Sequence, residues 1–197
     1  DIHTATAARV YHISESDVIR EMRSKAKMVN YGIPYGISAF GLSQRLNIAR
    51  REAAELINEY FNQFPGIRRY IDSTLEFARK NGYVETLTGR RRRLRDIKSA
   101  NAPTRNSAER NAINTPIQGS AADLIKIAMA RIYGELESRR LKTKLLLQVH
   151  DELLFDLYKP ERDEVVPIVE EGMKNALDIG APIEVDIGWG RNWLDAH

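Results

Sequence analysis

Residues 144–158 read KLLLQVHDELLFDLY, with mostly apolar runs at 145–149 and 153–157 on either side of His150, Asp151 and Glu152. Runs this short suit buried strands better than helices, which need ten or more residues to present a stripe. The stretch is therefore expected to fold back as a buried hairpin over 144–158 with a charged tip. A lone hairpin is marginal in water, so other elements must cover it.

Elsewhere the period is mostly helical. Ser14 followed by Asp17 resembles an N-cap pattern for a helix over 15–31. Ala53, Leu56, Ile57, Tyr60 and Phe61 recur at helical spacing within 49–63, where Pro65 and Gly66 end the pattern, and a further helix over 66–80 stops at Asn81 and Gly82. YVETLTGRRRRLR changes period: Tyr83, Val84 and Thr86 favour strand and Thr88-Gly89 a turn, so Arg90 onward reads as a returning arm. Helices are expected over 106–115 and 120–139, interrupted by Pro116, and over 161–177, where Pro167 should kink the helix or fix its first turns. IEVDIGW, 183–189, reads as a strand. The pattern as a whole predicts an α+β fold.

The chain has no cysteine, which excludes a disulfide scaffold and a thiolate metal site. Its apolar runs are too short to span a bilayer, and DIHTATAARV lacks a basic stretch followed by an apolar one, so no membrane or export role is expected. There is no internal repeat, low-complexity tract or Gly/Ser linker. The net charge of +3 conceals a split. Residues 20–110 carry 19 basic and nine acidic side chains, and 151–197 carry four basic and 12 acidic ones. A polyanion-binding surface beside a metal-binding or merely solvated acidic region would give this distribution.

Three constellations could carry chemistry. Asp151 and Glu152, held at a hairpin tip, would suit an oxygen-liganded divalent cation such as Mg²⁺, although a hairpin also simply needs a polar turn. Arg23, Lys27 and Tyr31 stand at i, i+4 and i+8, and Tyr35 would continue the face. Such a stripe could bind phosphates through its cations and a base through its rings, or be a solvated face with tucked tyrosines. The Gly32-Ile33-Pro34-Tyr35-Gly36 stretch should bend or end the helix and could act as a hinge. In the run Arg90, Arg91, Arg92, Arg93 and Arg95, with Lys98 and Arg105 beyond, alternation leaves any phosphate role to a subset; a solvated charge run is the alternative.

Taken in order, RSKAKMVNYGIPYG (23–36), ERNAINTPIQGSAAD (109–123) and QVHDE (148–152) resemble the nucleotide-binding fingers motif, the connecting segment and the catalytic palm motif of family A DNA polymerases. DIHTATA and NWLDAH fit as well, so the resemblance covers essentially the whole chain. It implies a DNA-directed DNA polymerase fragment: a mostly helical fingers subdomain over 1–110, with its nucleotide-binding helix at 15–36, and the C-terminal part of a palm subdomain over 111–197. The palm would have an antiparallel sheet carrying the catalytic hairpin at 144–158.

The resemblance further implies that Asp151 is a ligand of two catalytic Mg²⁺ ions and Glu152 a supporting acid. Lys27, Arg23 and His3 would contact the phosphates of the incoming dNTP, and Lys27 would protonate pyrophosphate. Tyr31 would pack on the nucleotide, and Tyr35 would stack near the template base. Arg110, Asn114, Gln118, Gln148 and His150 would contact the primer terminus and the newly formed pair of the primer-template DNA.

Two positions depart from the family pattern. Tyr31 stands where many relatives have Phe, and in this family a tyrosine there goes with tolerance of dideoxynucleotides; Pro34 replaces a plain aliphatic. The family's other metal-binding Asp belongs to an upstream motif that no segment here matches. The chain is thus expected to need the thumb and N-terminal palm of the same polymerase, to bind metal weakly and not to polymerise alone. A cytoplasmic, nucleoid-associated bacterial setting is implied. The basic segment by itself would equally support a non-catalytic nucleic-acid-binding module.

Overall fold

The computed structural model describes residues 1–196, in two compact units: residues 1–117 and the part from Gln118 onward. The fold is α+β, predominantly helical, with two small antiparallel sheets.

In the first unit, Asp1 caps α1 (Ile2–Tyr11) by accepting the His3 N–H, and His12 closes it in the left-handed conformation. A 3₁₀ turn at Glu15–Asp17 precedes α2 (Arg20–Gly32). The helix expected over 15–31 is thus broken. Ser14 gives its hydroxyl to the Asp17 carboxylate at 2.7 Å rather than capping, and the adjacent β-branched pair Val18 and Ile19 takes extended backbone angles. At its far end α2 stops at Gly32 rather than reaching 36. Pro34 has no N–H to return to Asn30, and Gly36 adopts a left-handed φ of 73°.

Helices α3 (Ala39–Leu46, capped by Ser38), α4 (Arg50–Gln63) and α5 (Pro65–Asn81) follow. The last two lie close to expectation. Val10, Val29, Ile33, Leu42, Ala53, Leu56 and Tyr60, from α1 to α4 and the turn after α2, form one core. Leu42 is fully buried, so Leu42→Ala is expected to cost about 2–5 kcal/mol of stability, read by urea unfolding.

The hairpin after Gly82 forms as β1 (Tyr83–Glu85) and β2 (Arg91–Arg93), with Val84 opposite Arg92. It covers a second cluster of Ala78, Val84, Leu94, Ile97, Ala108 and Ala112. The two helices expected on either side of Pro116 are one, α6 (Ala102–Ser138), and the boundary between the units falls just past that proline. Proline removes a single backbone donor, at a cost of about 3 kcal/mol. Apolar burial along the helix at Ala108, Ala112, Ile125, Ala128 and Ile132 offsets that cost.

In the second unit, β3 (Lys144–Val149) pairs with β4 (Glu152–Asp156). Helix α7 (Arg162–Lys174) contains Pro167, and α8 (Trp193–Ala196) is a single turn. Ala128, Ile132, Leu136, Val165, Ile168 and Val169 form the core, with Leu153 and Phe155 of β4 packed against it. Gly172 lets α7 approach α6 closely, because a Cβ there would run into Ile132.

The hairpin is buried less than expected. A bulge at Leu146 interrupts the pairing, and Leu146 and Leu147 are 55% and 45% exposed, while Leu145 and Val149 of the same strand are partly buried. The strand expected at 183–189 is not formed: its backbone joins no ladder among the described residues, and an extended segment without a pairing partner is not a strand.

The open end of the hairpin is clamped. Glu161 accepts the N–H groups of Lys142 and Thr143 at 2.9 Å and the Thr143 hydroxyl at 2.8 Å. Thr143 Oγ1 in turn accepts the N–H of Tyr158 at 3.1 Å, joining the two arms. Burial works against ionisation of Glu161, but these donors outweigh it and hold the carboxyl below its usual range. A folded carboxyl with a lowered pKa stabilises fully above its unfolded value, and the contribution is lost as pH falls through the folded one. Glu161→Gln should therefore lower the Tm at pH 7, and the difference from the parent should shrink as the pH drops below the ordinary carboxylate range.

Candidate active site

In the first unit, α2 presents Arg23, Lys27 and Tyr31 at successive turns, and α1 brings His3 alongside. The His3 and Tyr31 rings lie 5.5 Å apart at 55°. Desolvation lowers the His3 pKa, and the nearby positive charges of Arg23 and Lys27 lower it further, so the ring stays neutral at pH 7. Asn30 was not apparent from sequence. Its Nδ2 reaches His3 Nδ1 at 3.1 Å and Thr6 Oγ1 at 3.0 Å, tying the two helices together beneath Tyr31. The only sequence signal was a polar residue on the inner side of α2.

The cations of α2 divide by role. Lys25 is occupied, 3.1 Å from Glu21 and 3.0 Å from Glu52. Arg23 pairs with Asp1 at 2.6 Å. Lys27 is exposed and has no hydrogen-bond or ion-pair partner among the described residues, which leaves its ammonium available to an external anion. Tyr31 is 55% exposed, so its ring is open to a ligand rather than tucked into the core.

Tyr35 does not continue the helical face; it sits in the turn after α2, 39% exposed. Gly36 brings that turn against Arg110, whose Cγ would lie 2.9 Å from any Cβ at position 36. One turn along α6, the Asn114 side-chain oxygen is buried without a hydrogen-bond partner. An orphaned buried acceptor is costly, and a water, an ion or a ligand donor is what would supply the missing bond.

Among the arginines of the short hairpin, Arg91 is engaged by Glu85 at 2.6 Å and lies over the Tyr83 ring, while Arg92 donates to Thr115 at 3.3 Å. The side chains of Arg93 and Arg95 have no hydrogen-bond or ion-pair partner among the described residues. With Arg92, Thr104, Ser107 and Asn111 they line a cleft of about 470 Å³.

In the second unit, His150 and Asp151 make the two-residue turn between β3 and β4. His150 has a left-handed φ of 54°, and Gln148 Nε2 donates to its carbonyl at 2.6 Å. Asp151 is exposed at the tip. Glu152, opposite Val149 in the ladder, accepts the Trp193 indole N–H at 3.1 Å. Gln118, exposed on α6, is the first residue of this unit. Two adjacent carboxylates on a fixed turn offer hard oxygen donors of the kind Mg²⁺ takes. No group of three or more potential ligands occurs among the described residues, so the pair fits part of a coordination shell.

Residues 1–195 match the family model described as DNA polymerase family A. The chain belongs to this family. The DNA polymerase I of Geobacillus stearothermophilus is 51% identical over 196 residues, covering 100% of the chain and 22% of the relative. That of Caldicellulosiruptor bescii is 50% identical over 195 residues, covering 99% and 23%. The family A chain is also similar to the POL domain of Pol1 from M. smegmatis, solved in complex with DNA primer-template and dNTP. The TM-score is 0.93 at 43% identity, over 100% of this chain and 35% of that one. The chain thus spans about a fifth of the length of the curated relatives it matches.

Proposed function

We propose that this family A chain supplies the nucleotide-binding helix and one metal-binding acid of a DNA-directed DNA polymerase. The observation that carries the reading is Lys27: an exposed, unpartnered ammonium on the helical face that also holds Arg23, Tyr31 and neutral His3. Likeness to a polymerase captured with primer-template and dNTP supports it. On this reading residues 1–110 are fingers and 111–197 the C-terminal part of the palm, in a cytoplasmic, nucleoid-associated enzyme.

Lys27 takes the triphosphate as a point charge with three donors and returns a proton to the departing pyrophosphate. Arg23 adds a bidentate contact once phosphate replaces Asp1 as its partner. Neutral His3 donates one hydrogen bond to a phosphate oxygen. Tyr31 packs against the nucleotide and Tyr35 against the template base, while Arg110, Asn114, Gln118, Gln148 and His150 hold the primer terminus and nascent pair. Asn114 Oδ1 gains the donor it lacks. Arg93 and Arg95 add phosphate contacts along their cleft.

Two divalent ions, Mg²⁺ in this reading, supply a lowered pKa at the primer 3′-hydroxyl and charge compensation at the leaving pyrophosphate. Asp151 ligates them, Glu152 supports it, and a carboxylate from outside this chain completes the set, together with the thumb and N-terminal palm of the polymerase. The purified 197-residue chain is accordingly expected to bind primer-template but leave it unextended with dNTPs and Mg²⁺. Template-directed extension by the chain alone would overturn the requirement for the outside carboxylate.

The hydroxyl of Tyr31 sets sugar discrimination. Tyr31→Phe, in a polymerase carrying this segment, is expected to discriminate more strongly against dideoxynucleotides, read as the ratio of kcat/KM for dNTP and ddNTP. Equal ratios in the two forms would remove Tyr31 from that role.

A further inference from the structure

Thr6, buried on α1, fixes the polarity of the hydrogen bonds beneath Tyr31. Its Oγ1 lies 2.8 Å from the Ile2 carbonyl oxygen, which can only accept, so the one hydroxyl hydrogen is directed there. Toward α2 the same oxygen has only lone pairs to offer. The Asn30 atom 3.0 Å away is therefore the amide nitrogen, since the amide oxygen would set two acceptors against each other. With Nδ2 turned toward α1, its other hydrogen meets His3 Nδ1 at 3.1 Å. An N–H facing Nδ1 requires a lone pair on it, so the hydrogen of the neutral imidazole sits on Nε2. Nε2 itself has no hydrogen-bond or ion-pair partner among the described residues.

We propose that Asn30 is a positioning residue that fixes the His3 tautomer, holding Nδ1 as an acceptor so that the Nε2–H is the donor available to a triphosphate oxygen. The phosphate half of this rests on reading His3 as a contact to the incoming dNTP. The tautomer decides the sign of that contact. With its hydrogen on Nδ1 instead, the ring would turn a bare nitrogen lone pair toward an anion, and an attraction would become a repulsion. A ring protonated on both nitrogens would set Nδ1–H against the Asn30 N–H, so the same network favours the neutral form. The Tyr31 ring, 5.5 Å from that of His3, limits how far the imidazole can turn away.

The test reads the imidazole nitrogens of the 197-residue chain by nitrogen NMR at pH 8, with the His3 signals assigned by their loss in His3→Ala. The parent is expected to carry hydrogen on Nε2 and none on Nδ1. Asn30→Asp keeps the side-chain shape but can only accept, so it should move a hydrogen onto Nδ1. Asn30→Ala frees the ring to change tautomer and rotamer, and is expected to weaken binding of tripolyphosphate, the probe for a triphosphate, by roughly three- to tenfold. In a His3→Ala background the same change should have no further effect, because the donor it orients is already gone. A parent ring with hydrogen on Nδ1 or exchanging between the nitrogens, an Nδ1 still bare in Asn30→Asp, or an equal loss of affinity in the two backgrounds would overturn the proposal. The expected tautomer with an Nε2 signal that tripolyphosphate leaves unmoved would instead remove the phosphate-contact reading beneath it.

Discussion

Asp151→Ala, in a polymerase in which residues 1–197 replace the matching segment of the Geobacillus stearothermophilus relative, is expected to slow nucleotide incorporation by roughly a thousandfold. That factor corresponds to about 4 kcal/mol of transition-state stabilisation, the scale on which a metal-held charge acts in an in-line displacement. Asp151 sits on an exposed two-residue turn and carries no packing, so the loss should not come from unfolding. Primer-template affinity should stay within about threefold, because removing one acid from the tip takes away no phosphate contact. Single-turnover incorporation and DNA anisotropy on the same preparation separate the two quantities. A non-catalytic binding module would have no incorporation to lose.

Lys27→Ala is expected to raise the dNTP Kd about 10- to 150-fold, the worth of one hydrogen bond to a charged partner. Duplex affinity should move little. Lys25→Ala provides the contrast: Lys25 is committed to Glu21 and Glu52, so its removal should affect stability of the α2–α4 contact and leave dNTP affinity within about twofold. An equal effect of the two substitutions on nucleotide binding would mean that general positive charge, rather than the placement of Lys27, draws the phosphates.

That Arg23, Lys27 and Tyr31 share one face, the face proposed to take the nucleotide, was legible because its logic is local. Arg23, Lys27 and Tyr31 follow the helical repeat, and a helix of any origin puts them on one side. The hairpin at 144–158 was legible for the same reason, through the period change and the charged tip. What escaped depends on contacts distant in sequence. Asn30 becomes meaningful only when His3 and Thr6 are beside it, Trp193 only when Glu152 is within reach, and the Glu161 clamp only when Lys142 and Thr143 return to it. Local signals also misled where tertiary context outweighed them. Pro116 reads as a break but sits inside a helix whose burial on both sides sustains it, and 183–189 has strand composition without a ladder to join. Ser14 has cap chemistry, yet extended Val18 and Ile19 stop the helix from starting there.

Primer extension by the same replacement polymerase, in the unsubstituted form, tests the central claim most directly. If this chain supplies the nucleotide helix and one catalytic acid, the hybrid should copy a primed template with all four dNTPs and Mg²⁺. A hybrid that folds and binds primer-template yet adds no nucleotide would contradict it.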